Sequence, residues 1–399
     1  MKKKLLSFAF FFLLFVPFLQ GCGTVAGGIA VRELNQLNVV MITGVDYDPK
    51  HKKFILSIQS LKPAKEKNVA ISPESAYTAR ATGDTIMEAS KNLRAQTSGK
   101  LVWFHSKVII LGETLVKQKV LKEVVDFFAR NREIRYSSWI LVANGTAEDI
   151  VTAEPNGEST MGEELVGIIN NQAEWGRTAV VMLRELINSY ASPYEGFVTG
   201  RVHKYLSKDK EKQIIAITGA SVIRNQTLVT DLSREEVRTL HFLNKTIQQE
   251  PEIVFSVPLN EAGSNRRSTA VQIKIKDRKK SSITNGVPKI DVQLSLDATV
   301  LESGASPDFN KEVTVAKLKK RLEERIQRDI RTLLHKMQKE KKVDIFEFNS
   351  LIHRQHKRYW HEHRKEWDTI YPNIPVHVSI TWNTFRTGLI NQVKKGEQS

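Results

Sequence analysis

Apolar and polar positions fall into short, well-bounded blocks along this chain, and the spacing of the apolar positions switches between two and three-to-four residues. Residues 38–45 form a nearly continuous apolar run that ends in Asp46-Tyr47-Asp48-Pro49, which predicts a buried strand and a turn. Residues 53–61 alternate, with Phe54, Leu56 and Ile58 on one face, as a hairpin partner would. A strand over 74–81 is followed by Asp84, whose carboxylate can accept from free first-turn N–H groups and so cap a helix carrying Ile86, Ala89 and Leu93. Next come a strand over 101–111, an amphipathic helix over 113–129 and a strand over 137–143. Helical segments follow over 146–151, 163–171 and 178–190, and Ala191-Ser192-Pro193 stops the run. Strands alternating with helices predict a mixed α/β sheet with helices packed on it.

The pattern changes after this point. A candidate strand over 194–206 ends in the charged tip 207–212. A hairpin over 214–230 follows, turning at Asn225-Gln226. Ser233-Arg234-Glu235-Glu236 fits a capping box, with Ser233 as N-cap and Glu236 reaching back. Strands at 253–257, 270–275 and 290–300 are joined by turns at 277–280 and Asn285-Gly286. A helix over 313–341 repeats Leu318, Leu322, Ile326, Ile330, Leu333, Leu334 and Met337, one apolar stripe on a charged rod. A shorter helix after 344–349 and a last strand over 375–385 complete a largely antiparallel sheet packed by a long helix. The organisation expected is multidomain, α/β then α+β: residues 1–21 a signal peptide, 22–31 a tether, 32–193 an α/β domain, 194–262 a middle domain or connecting segment, and 263–399 an α+β domain.

The first of these segments sets the compartment. Lys2, Lys3 and Lys4 precede fifteen mostly apolar residues, 5–19. As a helix these span about 22 Å, short of the ~30 Å bilayer core, so the stretch reads as a secretory signal. Leu19-Gln20-Gly21-Cys22 looks like a lipobox, with cleavage between Gly21 and Cys22 and a lipid on the Cys22 sulfur. Cys22 is the only cysteine in 399 residues, so it has no disulfide partner within the chain. An ordinary signal peptide with a stray cysteine and an uncleaved anchor are the other readings of this stretch.

Composition adds one constraint. The formal net charge is +16, and a basic chain tethered to a bilayer is drawn to anionic headgroups by about 1 kcal/mol for each nearby Lys or Arg. The spacings of zinc fingers, RNP motifs and P-loops are missing, which argues against a nucleic-acid partner.

Three places carry a resemblance to the Ger(x)C spore germination family. The first is Cys22 followed by Arg32-Glu33-Leu34 and the strand ending Gly44-Val45-Asp46. The second is Gly219-Ala220-Ser221-Val222 with its hairpin and the helix start at Ser233. The third runs from Asp344-Ile345-Phe346-Glu347-Phe348 through Tyr359-Trp360 and Trp367 to Arg386-Thr387-Gly388-Leu389-Ile390. In two places the chain departs from the family pattern: Gly23 to Val31 stand where a Trp or an Asp-Arg-Arg-Glu-Leu-like run shortly after the cysteine is usual, and Thr230-Asp231-Leu232 stands where Gly-Trp-Leu is usual. The resemblance implies a lipid-anchored, non-enzymatic subunit on the outer face of the spore inner membrane, the C-type subunit of a nutrient germinant receptor. It also implies two partners, an A-type subunit with several spanning helices and a B-type subunit similar to amino-acid transporters, and it brings no catalytic residues and no cofactor. The reading from another class is a solute-binding lipoprotein that takes a small nutrient in an interdomain cleft.

Other candidate chemistry is weak. Six of the ten histidines lie between His335 and His377, and His353 and His356 could share a helix face. His361-Glu362, however, lacks the second histidine of a zincin motif because position 365 is Lys, so a solvated basic helix is the expectation, with no metal. Asp46 and Asp48 read as turn residues, and Trp360 and Trp367 as core packing.

Overall fold

The computed structural model describes residues 37–61, 76–171, 176–191, 194, 196–208, 212–244, 253–258, 268–303 and 307–387. The expected signal peptide, Gly21, Cys22, the tether, Arg32-Glu33-Leu34 and Gly388-Leu389-Ile390 lie outside them.

Ten strands make the first sheet, in the order β10-β9-β8-β6-β5-β1-β2-β3, with β4 beside β1 and β7 beside β6. They are β1 Leu37–Asp48, β2 Lys53–Leu61, β3 Ala76–Gly83, β4 Lys100–Val102, β5 Val108–Leu111, β6 Trp139–Ala143, β7 Val181–Met182, β8 Phe197–Leu206, β9 Gln213–Arg224 and β10 Thr227–Leu232. Strands β1, β5, β6 and β8 run parallel in the centre, and antiparallel hairpins flank them on both sides. The helices between them are α1 Ile86–Arg94, α2 Glu113–Lys117, α3 Leu121–Arg130, α4 Ala147–Val151, α5 Met161–Asn171 and α6 Leu183–Ala191. One face of the sheet packs Val40, Ile109 and Ile140 against Leu93 of α1, Val124 and Phe128 of α3 and Leu186 of α6. The other packs Ile42, Val108, Ile110 and Leu141 against Ile150 of α4 and Leu165 of α5. Near-continuous apolar strands such as Val108–Leu111 are what burial on both faces requires.

Helix α7, Arg234–Leu240, leads to the second sheet, ordered β11-β12-β13-β14. Its strands are β11 Ile253–Pro258, β12 Ser268–Thr284, β13 Val287–Ser303 and β14 Val376–Arg386. The first three are antiparallel, and β14 runs parallel to β13. Helix α8, Glu312–His335, lays Leu318, Leu322, Ile326, Ile330, Leu333 and Leu334 on the sheet and ends in a π turn over Lys336–Glu340. Full burial of each such side chain is worth about 1.5–3 kcal/mol. Helices α9 Phe348–Gln355, α10 Lys357–His363 and α11 Trp367–Ile370 close the sheet.

Several expectations are corrected in detail. The N-cap of α1 is Thr85, whose side chain accepts from the Glu88 N–H, while the Glu88 carboxylate accepts from the Asp84 N–H; the Asp84 side chain instead pairs with Lys53. The single strand expected over 101–111 is two, β4 and β5, and the helix over 113–129 breaks at Gln118, whose backbone is extended. The segment 178–190 begins as strand β7 before α6. The turn expected at 277–280 is uninterrupted β12. The boundary placed at 193 falls within the first sheet, because β8, β9 and β10 are its continuation and no separate middle sheet forms from them.

Candidate functional site

The parallel strands end at one edge of the first sheet, and their last residues build a buried polar network there. Arg201, in β8, is 7% exposed. Its Nη2 donates to Glu113 at 2.9 Å and to the Asn144 side-chain oxygen at 2.7 Å, and its Nη1 pairs with Asp231 of β10. Glu113 starts α2 straight after β5, and Asn144 follows β6, so the parallel register brings both beside Arg201. A hydrogen bond from Lys117, aided by the Arg201 guanidinium and the Gly145 N–H, holds the Glu113 carboxyl below its ordinary range despite burial. Asp231 also accepts from Ser221 at 2.7 Å. The network then crosses to the C-terminal half: Lys336, in the π turn after α8, donates to the Asp231 carbonyl at 3.1 Å and to Glu236 at 2.7 Å. A planar five-donor guanidinium suits such a multi-acceptor node, where a Lys ammonium would meet fewer partners.

Asp46 sits at the same edge, at the end of β1. It is not a turn residue. Its carboxylate accepts from the Ala147 N–H at 2.8 Å and the Glu148 N–H at 2.9 Å, the free donors at the start of α4. Burial nonetheless dominates these bonds and raises its pKa to about 6. A Cβ on Gly112 would lie 1.8 Å from an Asp46 carboxylate oxygen, so glycine there lets the chain pass. Asp48 is a turn residue, accepting from the Lys50 and His51 N–H groups.

Further contacts stitch the two halves together. The Gly196 N–H donates to the Asp344 carbonyl and the Asn244 amide to the Ile345 carbonyl, both at 2.8 Å. Arg224 donates to the Lys342 carbonyl at 3.0 Å and pairs with Asp368. Arg238 reaches Asp329 at 3.2 Å while lying 4.1 Å over the Phe255 ring. At this seam a cavity of about 220 Å³ is lined by Glu185, Asn188, Val198, Asp344 and Glu347 among others. The Asp344 carboxylate facing it is already engaged by the N–H groups of Phe346, Phe348 and Asn349. Ligand pockets ordinarily measure about 300–1,000 Å³.

The C-terminal histidines do not gather on one site: His353 and His361 meet edge to face with ring centroids 5.9 Å apart, and the others lie elsewhere. A non-helical backbone at His356 separates α9 from α10, so His353 and His356 do not share a helix face; His356 faces the Ser281 carbonyl at 2.9 Å. His363 stacks on Tyr359 and His335 pairs with Glu340. Trp360 and Trp367 are buried, with ring centroids 5.4 Å apart.

The Arg201 network was missed from sequence, although an arginine inside the apolar run Phe197-Val198-Thr199-Gly200-Arg201-Val202 marks a buried charge that needs partners.

Comparison with known proteins gives consistent matches. Residues 30–204 match the spore germination protein N-terminal domain, and residues 218–388 match the spore germination B3/GerAC-like C-terminal domain. Spore germination protein B3 of Bacillus subtilis (strain 168) is 25% identical over 368 residues, covering 91% of this chain and 94% of that protein. Spore germination protein KC of the same organism is 23% identical over 387 residues, covering 90% and 92%. The crystal structure of the GerBC protein superposes with a TM-score of 0.55 at 21% identity, covering 86% of this chain and 96% of that one, a likeness of fold.

Proposed function

Because this chain belongs to the Ger(x)C family of spore germination proteins, we propose that it is the C-type subunit of a nutrient germinant receptor, held to the outer face of the spore inner membrane by a lipid on Cys22. The observation that carries this reading is the match of both halves to one family, over nearly all of the chain that follows Cys22.

Its role is scaffolding, without catalysis. Lys336 and the seam contacts join the two sheets, and a body joined in this way can hold A-type and B-type membrane subunits in a fixed relation while they respond to small nutrients. The solute-binding alternative would place its ligand at the seam cavity, where the Asp344 carboxylate is already engaged by the backbone donors of Phe346, Phe348 and Asn349.

Purification of a tagged chain from spore membranes tests the proposal. Recovery of two multi-spanning membrane subunits, with no heat of nutrient binding to the isolated chain by calorimetry, is the expected result. A chain that comes away without membrane subunits and binds a nutrient by itself would establish the solute-binding role instead.

A further inference from the structure

The edge of the first sheet opposite the Arg201 network has a different character. It is formed by the amino-terminal ends of β1, β4, β5 and β6, since Leu37 pairs with Lys100 and Ile42 with Val108, which pairs in turn with Trp139. The loops along it expose Phe104 (39%) and Tyr136 (48%). These loops are firmly held. Trp103 is buried, the Lys107 N–H donates to the Met41 carbonyl, the Ser138 hydroxyl donates to the Ser106 carbonyl, and the Tyr136 hydroxyl donates to the Ala129 carbonyl. The two rings are therefore presented to the outside by a rigid frame.

Around them stand Lys100, Lys107, Arg132 and Arg135, all exposed. Among the described residues none of the four has a carboxylate partner, whereas at the opposite edge Arg201 and Lys336 are both paired. Glu133, half-buried, is the one acidic residue in these loops. Exposed aromatics ringed by Lys and Arg match a bilayer interface, where rings sit at headgroup level and cations meet anionic phosphates.

The chain itself points to the same occupant. Strand β1 begins at this edge, and only fourteen residues separate Leu37 from Cys22. Fully extended they reach at most about 50 Å. We propose that this edge, with Phe104, Tyr136, Lys100, Lys107, Arg132 and Arg135, rests on an anionic phospholipid surface and sets the orientation of the anchored protein. The proposal rests on the lipid-anchor reading of Cys22.

The test uses the lipid-modified chain carrying Phe104→Cys, whose new thiol is the only free one because the Cys22 sulfur bears the lipid. A fluorophore on that thiol is read in vesicles of phosphatidylcholine, with or without phosphatidylglycerol, doped with spin-labelled quencher lipid. The same label at Lys50→Cys, in the β1–β2 turn at the far edge, is the control. Quenching at 104 that requires phosphatidylglycerol, falls with added salt and spares position 50 is the expected result. Lys100→Glu, Lys107→Glu, Arg132→Glu and Arg135→Glu together should abolish it while the melting temperature holds, since surface affinity falls roughly fivefold for each cation removed. Equal quenching at both positions, or none at 104 in anionic vesicles, overturns the proposal. Shielding of 104 that appears only in spore membranes, and never in lipid vesicles, also overturns it, in favour of a protein face. Flotation of the chain with phosphatidylcholine vesicles reads the anchor separately: a chain that floats with them while position 104 stays unquenched is the expected result, and one that fails to float with them yet is quenched at 104 in anionic vesicles refutes the Cys22 anchor and leaves the edge assignment standing.

Discussion

Replacing Arg201 by Met probes the node that ties β8 to β10 and to the segments after β5 and β6, at the edge on which Lys336 of the C-terminal half docks. Met keeps much of the aliphatic stem and removes the guanidinium, leaving Glu113, Asn144 and Asp231 without their shared donor. Removing one member of a buried ion pair costs about 3–5 kcal/mol. Here the two carboxylates are partly open, Glu113 at 24% and Asp231 at 42%, and water can rehydrate them. Glu113 also keeps Lys117, and Asp231 keeps Ser221. With water screening both carboxylates, the expected loss is about 2–3 kcal/mol. Urea unfolding followed by circular dichroism measures it, and Arg201→Met with Asp231→Asn should recover part of the loss because the orphaned charge is gone. If Arg201→Met alone stays within the ~0.5 kcal/mol scatter of ordinary surface substitutions, the Arg201 node does not hold this edge of the first sheet together and its structural role is refuted.

Other substitutions test neighbouring claims. Gly112→Ala places a Cβ against the Asp46 carboxylate and should cost about 1–3 kcal/mol as an overpacked site, read as a drop in melting temperature. Asp46 and His241 give opposite pH dependences. The folded pKa of Asp46 is raised to about 6, so the folded state binds its proton more tightly and the contribution of Asp46 to stability falls as pH rises from about 4 to about 6. Burial lowers the His241 pKa to about 4, so its contribution is full above its ordinary 6.5 and is lost as pH falls from there toward 4. Asp46→Asn should therefore make stability rise more steeply with pH between 4 and 6.5, and His241→Gln should make it rise less or fall, both measured by urea unfolding across that range.

Features governed by near neighbours were legible in the sequence. The Asn225-Gln226 turn, with both residues at positive φ, the Ser233 capping box and the apolar stripe of α8 stand where local pattern places them. The cap of α1 was legible too, but Thr85 and Asp84 are adjacent and both can cap; the Glu88 three residues after Thr85 was the deciding signal. Long-range pairing was not legible. Nothing local tells that β8 returns to pair with β6, and so the boundary was set at 193. Asp46 looked like its neighbour Asp48, yet its donors lie 101 and 102 residues away. The charged stretch 277–280 resembled a turn, but β13 runs alongside it, and Lys279 buries its stem while its ammonium meets the Phe346 carbonyl at 3.3 Å. The break at Gln118 has no glycine or proline to announce it.

On this reading, anchoring through Cys22 and receptor function are linked. Spores whose own copy carries Cys22→Ala test it directly, with nutrient-triggered germination, total protein and the membrane fraction followed together. The expected result is protein that is made, leaves the membrane fraction, and takes nutrient-triggered germination down with it. Undiminished germination from protein that has left the membrane, or membrane attachment unchanged by the substitution, would contradict it.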